Sequence, residues 1–349
     1  MPYDKYSGKY FAAANTGQGF VSYFDGIFAD IPRLYIIKGG SGTGKSRMMK
    51  QIADRAEELG YSVGRCLCSA DADSLDAVVI PKLGVGVLDG TAPHITDPKY
   101  PGAVDEIVDV GRFWDKEKLR RHTTLIREMI DRKSLLFGCA YDQLSAAKKS
   151  GDVISKLNSQ ALDRQKMYAA VERLSRRWKR GSGYNGHIRI LDAFTMKGRV
   201  QLDLFNQKAE HVYLLSGRHG AESEFLSEVL RVAKEKTQPV FIAPDPVDLS
   251  RICELMLPEL GIAFVRRDPC QKAERVINTE RFVIPEAIRR FKPCITEAKR
   301  NRRELLKSVD IILSEIRKLH FEIEDIYISA MDFDAKERLT ADLINEILG

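Results

Sequence analysis

Eight residues, 39–46 (GGSGTGKS), constrain this chain more than any other stretch. Gly39, four residues, then Gly44-Lys45-Ser46 satisfies the phosphate-loop pattern G-x-x-x-x-G-K-[ST]. The flanks have the form that pattern needs. Residues 33–38 (RLYIIK) are a short β-branched and aromatic run suited to a buried strand. Residues 47–59 have helical period, with Met48, Ile52, Ala56 and Leu59 along one face, and Gly60 ends them. A strand that enters a glycine-rich turn and opens a helix predicts an α/β core.

The chemistry follows from the geometry. Glycines at 39, 40, 42 and 44, with Ser41 and Thr43 between them, let the backbone wrap closely and turn its N–H groups inward. The helix start at Lys45, Ser46 and Arg47 adds unpaired N–H donors and a positive dipole end, which suits an anion. Lys45 is expected to reach the β- and γ-phosphates of a nucleotide, and the Ser46 hydroxyl to ligate Mg²⁺. No N-K-x-D base-reading motif is found, which leans towards ATP over GTP.

The chain has 349 residues, enough for two domains, and its 44% hydrophobic and 30% charged content is that of a globular protein. No run of 18 apolar residues predicts a membrane span. The start, MPYDKYSGKY, lacks the apolar core of an export signal, so a cytoplasmic location is expected. Six scattered cysteines form no C-x-x-C pair and read as buried thiols. The net charge of +6 permits an acidic partner without arguing for one. No zinc module or aromatic platform supports a specific nucleic-acid role.

Taken in order, residues 11–28 read as a strand and turn leading to a short amphipathic segment. A second strand, 61–68, ends in the acidic turn Asp71, Asp73, Asp76, and 75–81 is expected to continue as a short helix. A third strand, 83–88, delivers Asp89, the candidate Walker B carboxylate that holds Mg²⁺ beside Ser46. Asp71 is a candidate base or outer-shell Mg²⁺ group at the strand-end rim where open α/β sheets bind ligands; its bland alternative is helix capping. His94 is a candidate for positioning a γ-phosphate or nucleophile, against a loop histidine packed beside prolines. Residues 96–111 read as a Pro/Gly-rich loop. Helical pattern then runs from 112 to 180, in segments including 135–149 and 152–180, and 181–186 (GSGYNG) reads as a linker.

The second half repeats the first. Residues 212–217 (VYLLSG) match 34–39 (LYIIKG), an offset of 178 from Gly39 to Gly217. Residues 257–263 (LPELGIA) match 80–86 (IPKLGVG). The second turn, 217–224 (GRHGAESE), has lost its chemistry: in that register Lys45 becomes Ser223, Ser46 becomes Glu224 and Asp89 becomes Arg266. A dead nucleotide site is expected there. Arg218, Arg266 and Arg267 are candidates for a cation lent to the first site.

Three stretches, 35–46 (YIIKGGSGTGKS), 68–83 (CSADADSLDAVVIPKL) and 88–115 (LDGTAPHITDPKYPGAVDEIVDVGRFWD), resemble a family of uncharacterised bacterial tandem P-loop ATPases, sometimes labelled nucleotide-kinase-like. That resemblance implies tandem P-loop NTPase-type three-layer αβα cores, each followed by an α-helical extension, and ATP binding. The departures at 217–224 count against a second ATP site. The expected divisions are a core at 1–110, helices at 111–180, a linker at 181–186, a degenerate core at 187–280 and helices at 281–349. The expected cofactors are ATP and Mg²⁺, with an unknown acceptor or protein partner. An ATPase, a small-molecule or nucleotide kinase, and a nucleotide-gated scaffold are the functions this pattern allows.

Overall fold

The protein is described here by a computed structural model covering residues 5–266 and 273–349. The first half contains β1 (Gly8–Phe11), the hairpin β2 (Ala13–Thr16) and β3 (Gly19–Ser22), α1 (Phe24–Phe28), β4 (Arg33–Lys38), α2 (Lys45–Glu58), β5 (Gly64–Leu67), β6 (Leu75–Ile80), β7 (Val85–Asp89) and β8 (Asp105–Asp109). Six of these strands form one sheet in the order β1-β5-β6-β7-β4-β8. It is mixed, because β6 runs antiparallel to both of its neighbours.

Helices α3 (Lys116–Arg121), α4 (Thr123–Ser159) and α5 (Arg164–Ser175) follow. The second half then supplies β9 (Gly186–Ile188), the hairpin β10 (Asp192–Thr195) and β11 (Gly198–Gln201), α6 (Leu204–Lys208), β12 (His211–Ser216), α7 (Ala221–Glu235), β13 (Val240–Pro244), β14 (Ile252–Leu257), β15 (Ile262–Val265) and β16 (Ala273–Asn278). Its sheet order, β9-β13-β14-β15-β12-β16, is the first order element for element. Helices α8 (Pro285–Ile328) and α9 (Phe333–Leu348) close the chain.

Two expectations fail inside the first sheet. Residues 75–81 are not an α-helix. Residues 75–80 form strand β6, all six of them buried, and Pro81 opens a single 3-10 turn after it. The run Val78-Val79-Ile80 is β-branched and covered on both faces, which outweighs the helix-capping look of the acidic turn before it. The segment 96–111 is not all loop, since Asp105–Asp109 forms edge strand β8 beside β4. Its charged ends and exposed Ile107 suit an edge and hid it among Pro/Gly signals. Likewise 135–149 and 152–180 are not two helices: α4 runs unbroken through Gly151 to Ser159.

Alternation along the strands sends residues to two faces. On the inner face Leu34 and Ile36 of β4 share one core with Val212 and Leu214 of β12, with Phe24, Phe28 and Phe205 between. The two sheets therefore bury one face of each in a common interior. On the outer face of the first sheet Tyr35 and Ile37 pack on Met48, Met49 and Ile52 of α2 and on Leu343 and Ile347 of α9. On the outer face of the second, Phe225 and Val229 of α7 pack with Met167 and Val171 of α5. Each terminal helix thus covers the core of the other half.

The long helices α4 and α8 make that exchange. Met129 packs on Leu319 and Ile323, whereas Gly151 meets Arg302, so the pair is antiparallel. A 3-4 spaced stripe (Val309, Leu313, Ile316) packs on Ala140, Leu144 and Ala147. The ends of the exchange match in both directions. Asp115 N–H donates to Ala330 O at 2.8 Å and Ile284 N–H to Ala161 O at 2.8 Å; Asp163 N–H donates to Phe282 O at 2.8 Å and Asp332 N–H to Phe113 O at 3.1 Å. Residues 181–186 lie against the second core: Gly181 N–H donates to Lys236 O at 2.9 Å and Gly183 N–H to Thr237 O at 3.0 Å. Among the described residues no helix is long and apolar enough to cross a membrane. The five described cysteines are free, and Cys270 lies outside the described residues.

Candidate functional site

The 39–44 turn joins β4 to α2, and two of its glycines take left-handed backbone, Gly42 at φ 70° and Gly44 at φ 79°. Gly44 caps α2 in that conformation, which a side chain would strain. The turn is also tightly covered. A Cβ on Gly39 would lie 2.5 Å from Val110, and one on Gly42 would lie 2.8 Å from the backbone oxygen of Glu324. Glycine is therefore needed for packing here as well as for the bend.

Lys45 opens α2 and folds back into the turn. Its ammonium donates to Gly39 O at 3.0 Å and Gly40 O at 2.6 Å, and lies 3.5 Å from Asp89 Oδ2. The parallel pairing of β4 with β7, which sets Ile37 opposite Asp89, brings that carboxylate alongside. Asp89 Oδ1 accepts from Thr91 N–H at 2.9 Å and from the Thr91 hydroxyl at 2.5 Å, leaving Oδ2 to face Lys45. Ser46 Oγ accepts the Leu75 N–H at 2.9 Å, which ties the helix start to β6. Thr43 Oγ1 donates to Gly40 O at 2.9 Å and braces the turn. Arg47 points away and pairs with Glu337 of α9 at 3.4 Å. A hydroxyl and a carboxylate are oxygen donors of the kind Mg²⁺ takes beside phosphates. Among the described residues no group of three or more His, Cys, Asp or Glu is arranged to hold a metal by itself.

Asp71 and His94 take different places. Asp71 lies in the turn after β5, where Lys197 reaches it at 2.8 Å and the Ser74 hydroxyl donates to it at 3.0 Å. Burial works to raise its pKa, but Lys197, Ser74 and the Asp73 N–H outweigh that and hold the carboxyl below its ordinary range. Asp73 pairs with the same lysine. His94 is buried, its Nε2 2.9 Å from Asp76 Oδ2 and its ring 4.9 Å from Phe20 and 4.8 Å from Phe24. Among the described contacts it touches the inner core rather than the 39–46 turn.

Several residues around this site come from the second half, where local sequence does not point to it. Lys197 sits at the tip of the β10–β11 hairpin, anchored by Met196 N–H to Ala70 O at 2.8 Å. The reciprocal hairpin, β2–β3, reaches the second core through Gly17 N–H to Val247 O at 3.0 Å. Glu324 of α8 packs against Gly42, with its backbone oxygen 2.8 Å from where a Gly42 Cβ would lie, and His320 lies 3.4 Å from its carboxylate. That histidine, aided by the Gly42 N–H and opposed by burial, holds Glu324 below the usual carboxylate range. Trp114 and Tyr327, ring centroids 5.5 Å apart, close over Gly40. Lys336 of α9 is fully buried, 3.6 Å from where a Gly44 Cβ would lie and 3.2 Å from Glu337. Burial lowers its pKa, with Glu337 opposing. The repeat itself carried one hint: the first hairpin tip reads TGQG and the second TMKG, so the lysine is present in only one copy.

The second turn differs from the sequence register. The left-handed cap is Gly220, at φ 74°, and α7 starts at Ala221, so the turn spans 217–220 against 39–44. The shorter turn moves Ala221 and Glu222, not Ser223 and Glu224, to the helix start. Glu222 is buried, and its Oε1 lies 2.9 Å from where a Gly217 Cβ would be, so a carboxylate fills the concave side of the turn. Arg266 does take the place in the second core that Asp89 has in the first, because Gly84 and Gly261 cap matching bends at φ 63° just before β7 and β15. Arg218 and Arg266 line a cavity at the second turn and do not reach the first site, and Arg267 lies outside the described residues. Compared with protein-family models, curated proteins and solved structures, the chain gives no match.

Proposed function

We propose that the first core is a P-loop NTPase that binds Mg-ATP at residues 39–46 and hydrolyses it, with the second core a degenerate copy. The observation that carries this reading is Lys45, held between the Gly39 and Gly40 carbonyls and facing Asp89 at 3.5 Å, at the mouth of a strand–turn–helix with two left-handed glycines. Lys45 would move from those carbonyls to phosphate oxygens, and Ser46 with Asp89 would hold Mg²⁺. The metal would neutralise charge on the phosphates. Lys197 fixes Asp71 at the rim of the same site, so the second half contributes by positioning. The test is paired substitution. Lys45→Ala abolishes Mg-ATP binding by titration calorimetry, while Glu222→Gln, at the start of α7, leaves it nearly intact. Equal losses would overturn the single-site reading.

A second reading, a nucleotide-gated switch, is favoured by one feature. Glu324 and Tyr327 of α8 cover Gly42 and Gly40 from the far half of the chain. Phosphate oxygens need those N–H groups, so nucleotide binding would displace the end of α8 and move α9 with it.

A further inference from the structure

The second turn has its own cavity, of about 640 Å³, between the first turns of α7, the end of α4 and the middle of α8. That volume falls in the range of small-molecule sites, roughly 300–1,000 Å³. Its charge is one-sided: seven arginines and lysines line it against three carboxylates, with the hydroxyls of Ser155, Ser223, Ser227 and Ser250 among them.

The carboxylates do not neutralise it. Asp245 accepts the Val247 and Asp248 N–H groups at 2.9 and 3.0 Å, and the nearest guanidinium, Arg302, is 3.8 Å away. Arg251 is committed to Asp152 and Asp248 at 2.9 and 3.0 Å. Arg266 faces the Cys253 thiol at 3.3 Å, a neutral partner because burial pushes that thiol up to about 12. Arg302 Nε is buried without a hydrogen-bond partner among the described residues. Lys299 reaches across to Arg218 O at 3.0 Å and ties α8 to the turn. Arg303 and Lys307 meet Glu304 at 3.8 and 3.0 Å on the exposed face, which leaves Arg302 Nε as the buried donor without a partner, beside an Arg266 whose described partner is a neutral thiol. A buried donor facing a cavity without a partner is costly unless an anion completes it.

We propose that this cavity binds a small polyphosphorylated anion without Mg²⁺. The turn itself refuses phosphate, since Glu222 occupies its concave side and no lysine stands at the helix start. The anion therefore lies outside the turn, its phosphates spread between the Ser223 and Ser227 hydroxyls of α7 and Arg302 and Arg303 of α8. Several separated guanidinium forks favour a ligand with two or more phosphoryl groups over a single phosphate. Mg²⁺ chelates such a ligand and competes with the arginines, so it weakens binding here, the reverse of the first site. This assignment does not rest on the first site's chemistry.

The test uses the full chain carrying Lys45→Ala, which silences the first turn, and titrates inorganic tripolyphosphate in EDTA by calorimetry. The expected result is one site per chain. It is weakened at least tenfold by Arg302→Gln with Arg303→Gln and by added Mg²⁺, and unchanged by Arg289→Gln, an α8 residue outside the cavity paired with Glu286. Ser227→Asp, at an exposed hydroxyl, gives the same weakening and carries the test if circular dichroism shows the double variant misfolded. Absence of binding overturns the proposal. So does equal weakening by Arg289→Gln, or displacement of tripolyphosphate by a single-stranded oligonucleotide, which would make the surface a nucleic-acid site. Mg-ATP binding by the unmutated chain, measured alongside, reports the first site separately.

Discussion

Removing the Glu324 charge should tighten nucleotide binding. The Gly42 N–H that a phosphate oxygen needs helps to hold this carboxyl below its ordinary range, as does His320 at 3.4 Å. A carboxylate and an incoming phosphate charge about 4 Å apart repel by ~4 kcal/mol at an effective dielectric near 20. The Glu324 side chain is 26% exposed, so solvent screens part of that, leaving about 1.4 kcal/mol, or tenfold in affinity. Glu324→Gln keeps the shape and removes the charge. Calorimetric titration of Mg-ATP should give a dissociation constant about tenfold lower than that of the unmutated chain. Glu322→Gln, two residues away on an exposed position, should leave it unchanged. An unchanged or weaker affinity in Glu324→Gln would refute the idea that α8 competes for the turn.

Other consequences follow from the exchanged helices and the second-half lysine. Leu343 is 4% exposed and packs among Met48 and Ile52, so Leu343→Ala should cost about 2–4 kcal/mol in urea unfolding although it lies in the last helix. Lys197→Ala should lower ATP turnover at least fivefold while shifting stability by less than about 1 kcal/mol, because its ion pairs with Asp71 and Asp73 are partly exposed. Burial, with Arg189 and Lys5 nearby, lowers the His187 pKa from 6.5 to about 4. The unfolded chain therefore binds the extra proton first, and stability present above pH 6.5 is lost as pH falls towards 4. The ring is only half-buried, so the loss is discounted to about 1–2 kcal/mol. Urea titrations at pH 7 and 5 should show it, and His187→Gln should flatten that difference.

The repeat was legible because strand, turn and helix signals recur at a nearly constant offset, and the two sheets share one strand order. What escaped was non-local. An amphipathic stripe such as Val309, Leu313 and Ile316 announces that α8 has a buried face but not which helix covers it. Nothing in residues 333–348 says that they cover α2 rather than α7. Glu324 and Lys336 reach the 39–46 turn, and Lys197 reaches Asp71 and Asp73, from more than 100 residues away, where no local pattern links them. The β6 error was local and instructive: capping residues at 71–76 mimic a helix start, yet the apolar run after them is buried on both faces. At the second turn, constant offset misplaced the helix start because the turn had shortened, and only the left-handed Gly220 reveals it.

The central claim, a single live nucleotide site at 39–46, is tested most directly by phosphate release from Mg-ATP without an acceptor, beside Lys45→Ala at equal concentration. The account predicts slow release by the unmutated chain and none by the variant. Equal release by both, or none by either, would contradict it.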